Sequence, residues 1–73
     1  MTKLPQVSGK ECVKVLQRLG FKVDRQRGSH IVLIRDEPYN RIVVPNHKTL
    51  KKGMLDDIIK KAELTVDEFI ELL

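Results

Sequence analysis

The chain has 73 residues, 33% of them charged, a formal net charge of +4 and a single cysteine. This length predicts one domain with a small core and excludes a separate cofactor domain or a deep substrate cavity, so any site has to lie on an open surface or one shared with a partner. A single cysteine excludes an intrachain disulfide, residues 1–6 lack the apolar stretch of a signal peptide, and no apolar run is long enough for a membrane span. We therefore expect a cytoplasmic protein.

The charge is distributed unevenly along the chain. Residues 1–55 contain twelve Lys/Arg and four Asp/Glu, a balance of +8, whereas residues 56–73 contain two and six, a balance of −4. A basic body of this kind fits a polyanion such as nucleic acid better than it fits an acidic small molecule. The alternative is ordinary solvated surface charge, since many small domains are basic without binding nucleic acid.

The first predicted element is a helix that begins after Ser8. Ser8 as N-cap and Glu11 three residues later form the pattern of a capping box, and Gly20 is suited to end the helix in a left-handed conformation. The expected buried residues are Cys12, Val13, Val15, Leu16 and Leu19. A basic stripe on another face is formed by Lys10, Lys14 and Arg18, which recur every four residues.

Three short strands are predicted next, over residues 21–24, 30–34 and 41–44. The first alternates apolar and polar residues, the second is an apolar run rich in β-branched residues, and Pro45 is expected to stop the third. The predicted turns between them, over residues 25–28 and 36–40, are too short for parallel crossovers. The strands should therefore form antiparallel hairpins.

Two further helices are predicted after a loop over residues 46–50. Apolar residues at helical spacing indicate the buried face of the second helix, namely Met54, Leu55, Ile58, Ile59 and Ala62. The third helix repeats the capping box with Thr65 and Glu68. Its expected buried residues are Val66, Phe69, Ile70 and Leu73. The predicted fold is thus α+β, with order α-β-β-β-α-α, a three-stranded antiparallel sheet covered by helices on one face, and one domain over residues 1–73.

The sequence does not predict a metal or a cofactor. Cys12, His30 and His47 lack the spacing of zinc ligands. The acidic pairs at residues 36–37 and 56–57 are sequence neighbours, which do not face each other on a helix, and they fit solvated surface charge better. The glycines near the helix starts also lack the spacing of a phosphate-binding loop.

Histidine is the remaining candidate for chemistry. His30 begins a strand straight after a Gly-Ser turn, and cations are frequent in the same strands and turns: Lys22, Arg25, Arg27, Arg35 and Arg41. A histidine can give or take a proton near neutral pH, cations can hold a phosphate beside it, and RNA supplies its own nucleophile in the 2′-hydroxyl. From these residues alone, the conservative interpretation is a strand-end surface residue for His30 and a loop or helix-entry residue for His47.

Four segments resemble the HicA toxins, also called the YcfA family, and the resemblance extends over residues 4–73. Residues 21–30 resemble the family's G-F-x3-R-Q-x-G-S-H run, residues 42–47 its V-V-P-x-H segment, residues 50–59 its L-x-x-G-T-L-x-x-I-L helix start, and residues 64–69 its closing L-S-x-E-E-F. Two departures stand out. Glu63 replaces the common glycine that ends the second helix, so that this helix end can be built differently, and Asn40 replaces a common glycine before the third strand.

The resemblance implies a fold like that of double-stranded-RNA-binding domains and a toxin that cleaves mRNA and is silenced by a HicB antitoxin. The family's essential histidine falls on His30. We expect RNA to contact the neighbouring Arg25, Arg27, Gly28 and Ser29, and also Lys48, Lys51 and Lys52 around the predicted start of the second helix.

We therefore expect a metal-independent endoribonuclease that needs no cofactor. Its expected partners are RNA and a HicB-like antitoxin, with no membrane, and the free protein is expected to be a monomer or a weak dimer. A non-catalytic RNA-binding module with the same fold is the alternative, and His30 discriminates between the two because a binder does not need its imidazole. A third interpretation, a structural or partner-binding protein, predicts little or no salt-dependent affinity for RNA.

Overall fold

The computed structural model describes residues 3–73, and its elements follow the predicted order. They are helix α1 Gly9–Arg18, strands β1 Lys22–Arg27, β2 His30–Asp36 and β3 Tyr39–Pro45, and helices α2 Lys52–Lys61 and α3 Val66–Leu72. The strands form one antiparallel sheet in the order β1-β2-β3, which confirms the α+β class. Met1 and Thr2, which the predicted domain includes, lie outside the described residues.

Both predicted capping boxes are present. The Ser8 hydroxyl accepts a hydrogen bond from the backbone N–H of Glu11 at 3.1 Å, and the Glu11 carboxylate accepts one from the Ser8 N–H at 2.9 Å. Thr65 and Glu68 make the same reciprocal pair at 3.1 and 2.8 Å. An N-cap of this type stabilises a helix by about 1 kcal/mol, so both helix starts are defined locally by the sequence.

The first hairpin is longer and tighter than predicted. Strand β1 continues to Arg27, so residues 25–27 pair with β2, and the turn contains only Gly28 and Ser29. Gly28 has φ 56°, the left-handed conformation that two-residue hairpin turns require. A bulge at Asp24 interrupts the alternation of side chains between the two faces of β1. All six residues of the strand are exposed and most are polar, so the alternation of apolar and polar residues in the sequence ends before the strand does.

The second hairpin is also tighter than the predicted turn over residues 36–40. Strand β2 extends to Asp36 and β3 begins at Tyr39, which leaves residues 37–38 as the turn. Strand β3 ends at Pro45, which is its last residue and pairs with His30, one residue beyond the predicted end. An edge strand tolerates proline because the missing N–H can lie on its unpaired side.

The core lies between the sheet and the helices. Alternate residues of β2 and β3, including Leu33 and Ile42, pair across the strands and pack with the buried faces of α1 and α2 and with Phe69 of α3. Three predicted core residues are exposed instead: Met54 (43%), Ile70 (37%) and Leu73 (46%). Met54 lies at the start of α2, and the short α3 buries Phe69 and half-buries Val66 and Leu72, so the apolar periodicity overestimated both buried faces.

Helices α1 and α2 end in the same geometry. The N–H groups of Gly20 and Phe21 donate to the carbonyls of Gln17 and Leu16, the Schellman pattern, and Gly20 has φ 94° as predicted. Helix α2 repeats the pattern, with Glu63 at φ 60° in the position of Gly20. The helix end that carries the departure from the family's glycine is therefore built in the same way. Among the described residues, no helix is long and apolar enough to span a membrane.

Candidate functional site

The face of the sheet that is turned away from the core, called here the outer face, is rich in cations. Cross-strand partners share a face, and the register places Arg27, His30 and Pro45 side by side there. The exposed basic residues on this face are Lys22, Arg25, Arg27, His30 and Arg41. Val32 is buried at its centre, outside the core cluster, with Ile34 and Val43 half-buried beside it.

Arg35 does not belong to this cationic group. It alternates with the core residues of β2, and its guanidinium carbon lies 4.8 Å from the centroid of the Phe21 ring. Its Nε also donates to the Pro38 carbonyl at 3.1 Å. A cation held over an aromatic ring and bonded to the backbone has a structural use, so the prediction that Arg35 is one of the cations beside His30 is wrong.

Several loops meet at one end of the sheet, called here the histidine end. It comprises residues 28–30, residues 45–48 and the starts of α1 and α2. The Asn46 N–H donates to the Ser29 carbonyl, and the Gly9 N–H donates to the His47 carbonyl at 2.8 Å. A Cβ on Gly9 would collide with the Pro45 carbonyl oxygen, so only glycine allows α1 to approach this loop so closely.

The predicted residues of the β1–β2 hairpin lie together at this end. His30 is exposed at the first position of β2, directly opposite Arg27. The turn before it is held by Gln26, whose Nε2 donates to the Gly28 carbonyl at 3.1 Å. Arg25 lies one pair further along the outer face, and its Nε is 3.0 Å from the Asp24 carboxylate. Such an exposed ion pair contributes less than about 1 kcal/mol, so another anion can replace the Asp24 carboxylate at little cost.

The three predicted lysines are exposed around the start of α2. Lys51 is the N-cap and Lys52 the first residue of that helix, whereas Lys48 lies in the preceding loop. Lys48 lines a recess of about 290 Å³ together with Ser8, Lys10, Asn46 and His47. Lys51 lines a second recess, of about 190 Å³, together with Pro45, Leu50, Met54 and His47. His47 lines both recesses, so the structure brings Lys48 and Lys51 close to it at the histidine end.

His47 and Lys10 are the residues that sequence reasoning did not assign to this site. The V-V-P-x-H segment could have indicated His47. Pro45 pairs with His30, and a histidine two residues after Pro45 has to lie at the same end of the sheet. Lys10 appeared only as part of a helix stripe. Its position beside Lys48 depends on how α1 crosses the sheet, which helix periodicity does not reveal.

The described residues do not offer a metal site. Within residues 3–73, no group of three or more His, Cys, Asp or Glu side chains is placed to hold an ion. Asp56 pairs with Lys60 at 2.9 Å along α2, and Cys12 is buried in the core. Burial raises the pKa of the Cys12 thiol to about 12, which keeps it protonated and unsuited to act as a ligand or nucleophile at neutral pH.

A comparison with known protein families gives one match. The model of a family described as the HicA toxin of bacterial toxin–antitoxin systems matches residues 9–64, which is 56 of the 73 residues. The matched region contains α1, the whole sheet and α2, and it includes the histidine end. A search of curated proteins finds no match.

Proposed function

Since the chain belongs to the HicA toxin family, we propose that it is an endoribonuclease that cleaves mRNA with His30 as a proton-transfer group. Membership of the family makes it a toxin of a toxin–antitoxin system. The observation that carries the nuclease proposal is the position of His30, exposed at the end of a cationic sheet face, opposite Arg27 and beside a tight glycine turn. A proton-transfer group and a phosphate-binding cation are thereby adjacent.

The chemistry needs few protein groups because RNA carries its own nucleophile. The 2′-hydroxyl oxygen attacks the adjacent phosphorus, and a positioned histidine accelerates the proton transfers by roughly 10²–10⁴. Arg25 and Arg27 hold the phosphate and offset the charge that builds up on its oxygens. An open face without a deep cavity suits a long polymer, which enters from the side.

The contacts with the RNA backbone are made by cations at the histidine end. Both α1 and α2 begin there, and a helix start carries a partial positive charge. The first N–H groups of α1 are bonded to His47 and Ser8, whereas α2 begins without a side-chain cap, so its first N–H groups are the ones available to a phosphate. Lys48, Lys51 and Lys52 add mobile cations around the start of α2. We propose that these lysines contact phosphates, whereas the Gly28–Ser29 turn contacts the nucleotide beside His30.

The histidine assignment predicts a loss of toxicity without unfolding. Expressing the chain alone should arrest bacterial growth, and His30→Ala should relieve the arrest because cleavage falls by 10²-fold or more. Asp36→Ala is the matched control, since Asp36 is exposed on the same face at the far end of the same strand. Growth curves and circular dichroism test this, and a folded His30→Ala protein that is as toxic as the wild type rules out the catalytic role.

The metal-independent mechanism predicts that cleavage persists in EDTA. Attack by the 2′-hydroxyl with histidine as the proton carrier requires no divalent ion. The measurement is the initial rate on a labelled RNA with and without chelator, using a magnesium-dependent nuclease as the positive control. Loss of cleavage in EDTA that magnesium restores contradicts this part of the proposal.

The second candidate is a non-catalytic RNA-binding module. The outer face favours it, because an apolar centre ringed by exposed cations can hold RNA without cutting it. On this alternative, RNA stays intact with the purified protein, and His30→Ala changes neither binding nor growth.

We propose a HicB-like antitoxin as the protein partner, supported by the family's membership of toxin–antitoxin systems. Coexpression with the product of the neighbouring open reading frame should restore growth, and the two proteins should copurify. Continued growth arrest despite a soluble, coexpressed neighbour contradicts this assignment.

A further inference from the structure

We propose that His47 is the second proton-transfer group of the cleavage reaction and acts with His30 across the scissile phosphodiester. The inference rests on the nuclease function proposed above and adds a catalytic residue to it. One histidine removes the proton of the attacking 2′-hydroxyl, and the other donates a proton to the departing oxygen.

The register of β2 and β3 places the two histidines at the same end of the sheet. His30 pairs with Pro45, and paired residues of antiparallel strands have Cα atoms about 4.5–5.5 Å apart. Two more residues of extended chain add at most about 7 Å, so the Cα atom of His47 lies within about 12 Å of that of His30. A Cα separation of this size allows the two side chains to reach the same phosphodiester.

The backbone of His47 is fixed while its side chain stays available. Its carbonyl accepts the hydrogen bond from the Gly9 N–H, and the preceding Asn46 N–H is bonded to the Ser29 carbonyl beside His30. The loop that carries His47 is thus tied both to α1 and to the turn that carries His30.

The surroundings of His47 suit an anion. His47 is exposed and lines both recesses described above, with Lys10 and Lys48 lining one and Lys51 lining the other. Cations near an imidazole attract a phosphodiester to it. The same cations do not surround the far end of the outer face, where Asp36 and Tyr39 pair.

The reaction balances without a further reactant. The 2′-oxygen forms a bond to phosphorus as the bond from phosphorus to the 5′-oxygen breaks, which leaves a 2′,3′-cyclic phosphate and a free 5′-hydroxyl. The base histidine takes the 2′-proton, and the acid histidine gives a proton to the 5′-oxygen. Each histidine has to be in a different protonation state at the start, so the rate should fall on both sides of an optimum pH.

The test compares His47→Gln, His47→Ala and His30→Ala in the full chain on two RNA substrates. One substrate is ordinary RNA, and the other has sulfur in place of the bridging 5′-oxygen. A thiolate leaves without protonation because its conjugate acid is far stronger than an alcohol, so loss of the general acid does not slow the sulfur substrate. Thr49→Ala, at an exposed neighbour in the same loop, is the control and should cleave like the wild type.

We expect each histidine variant to lose 10²–10⁴-fold on ordinary RNA and one limb of the pH profile. On the sulfur substrate, one of the two histidine positions should recover to within about tenfold of the wild type while the other does not, which identifies the acid. Added imidazole should also partly rescue His47→Ala. Circular dichroism melts establish that the variants are folded.

Two results overturn the role of His47. Cleavage of ordinary RNA by His47→Gln within threefold of the wild-type rate would show that its proton is not needed. An equal loss on both substrates with both pH limbs intact would make His47 a phosphate contact and no more. Failure of the nuclease proposal looks different, because the wild-type protein then leaves both substrates uncut or a folded His30→Ala variant keeps full activity.

Discussion

At the histidine end of the sheet, neighbouring loops are joined by backbone hydrogen bonds, and Gln26 bonds only within its own turn, whereas at the opposite end side chains join the neighbouring elements. The N–H groups of Gly9, Asn46 and Leu50 carry the contacts at the histidine end. At the opposite end, the Asn40 amide donates to the Lys61 carbonyl at 2.8 Å, and Arg35 bonds to Pro38 and covers Phe21. The exposed side chains of His30, His47 and Lys48 take no part in these contacts and are therefore available to a ligand.

The orientation of the helices strengthens this contrast. Helices α1 and α2 begin at the histidine end, and both end at the opposite one, where Gly20 and Glu63 adopt left-handed conformations. The positive ends of two helix dipoles thus lie at the same end as His30, Arg27 and Lys48. The acidic C-terminal segment, with a balance of −4 over residues 56–73, begins within α2 and forms α3. We therefore expect a polyanion to favour the end at which both helices begin.

The largest effect should come from adding a methyl group to Gly9. In Gly9→Ala the new Cβ meets the Pro45 carbonyl oxygen and lies 3.0 Å from the Asn46 Cα, both backbone atoms that cannot rotate away. We expect a loss of about 3 kcal/mol in the free energy of unfolding, at the upper end of the usual cost of overpacking. Urea denaturation measures it.

Gly53→Ala is the matched control for this prediction. Gly53 also lies at the start of a helix, but its Cβ position meets no atom within 4 Å among the described residues. Alanine there should stabilise the protein by up to about 1 kcal/mol through helix propensity. Equal stability of the two variants would mean that α1 can move away from the His47 loop, and that the histidine end is less rigid than its hydrogen bonds indicate.

The lysines around α2 should set the salt dependence of RNA binding. Changing Lys48, Lys51 and Lys52 to glutamine should flatten the log–log salt slope by about two units, assuming one phosphate for each lysine and about 0.7 per contact with single strands. Affinity should fall for every sequence alike, and the cleavage pattern should not change, because phosphate contacts position RNA without reading it. Titrations at several salt concentrations on the His30→Ala background measure this effect.

The control lysines lie at the opposite end of the same helix. Lys60 and Lys61 are exposed in the last turn of α2, and their double change to glutamine should leave the slope as it is. If the triple variant keeps the wild-type slope, the RNA follows another path. The basic stripe of α1, formed by Lys10, Lys14 and Arg18, is then the next surface to test.

Local signals predicted the fold well where one residue determines the geometry. The capping residues Ser8 and Thr65 and the helix-ending Gly20 act through their nearest neighbours, and all three were predicted correctly. The errors lie where tertiary packing decides. Residues 25–27 contain no apolar residue, and they form a strand only because they pair with the edge of β2. Met54 and Ile70 fit a helical apolar pattern, but both are exposed because the core does not extend to them.

The candidate site was predicted only in part, for a related reason. His30 and the turn residues are contiguous in sequence, so one short run identifies them. His47 comes 17 positions later, and its nearness to His30 depends on the pairing of Pro45 and on the attachment of the loop to α1. Arg35 was predicted wrongly for the opposite reason. It lies in the same strand as His30, but the two are an odd number of positions apart, so Arg35 points to the core face and not to the outer face.

The smallest expected effect is on stability at the opposite end, where α1 and α2 both end in a left-handed residue, Gly20 in one helix and Glu63 in the other. A left-handed conformation costs a residue other than glycine about 1–2 kcal/mol, and Glu63 has φ 60°. Glu63→Gly removes that strain, and after the added entropy of the unfolded chain we expect a gain of about 1 kcal/mol. Gly20→Ala should lose a similar amount of stability, since its φ of 94° disfavours alanine.

Thermal melts of both variants measure these two changes in stability. RNA cleavage should not change in Glu63→Gly, because the histidine end keeps its own backbone contacts. A destabilised Glu63→Gly protein would show that the Glu63 side chain contributes more than its backbone strain costs.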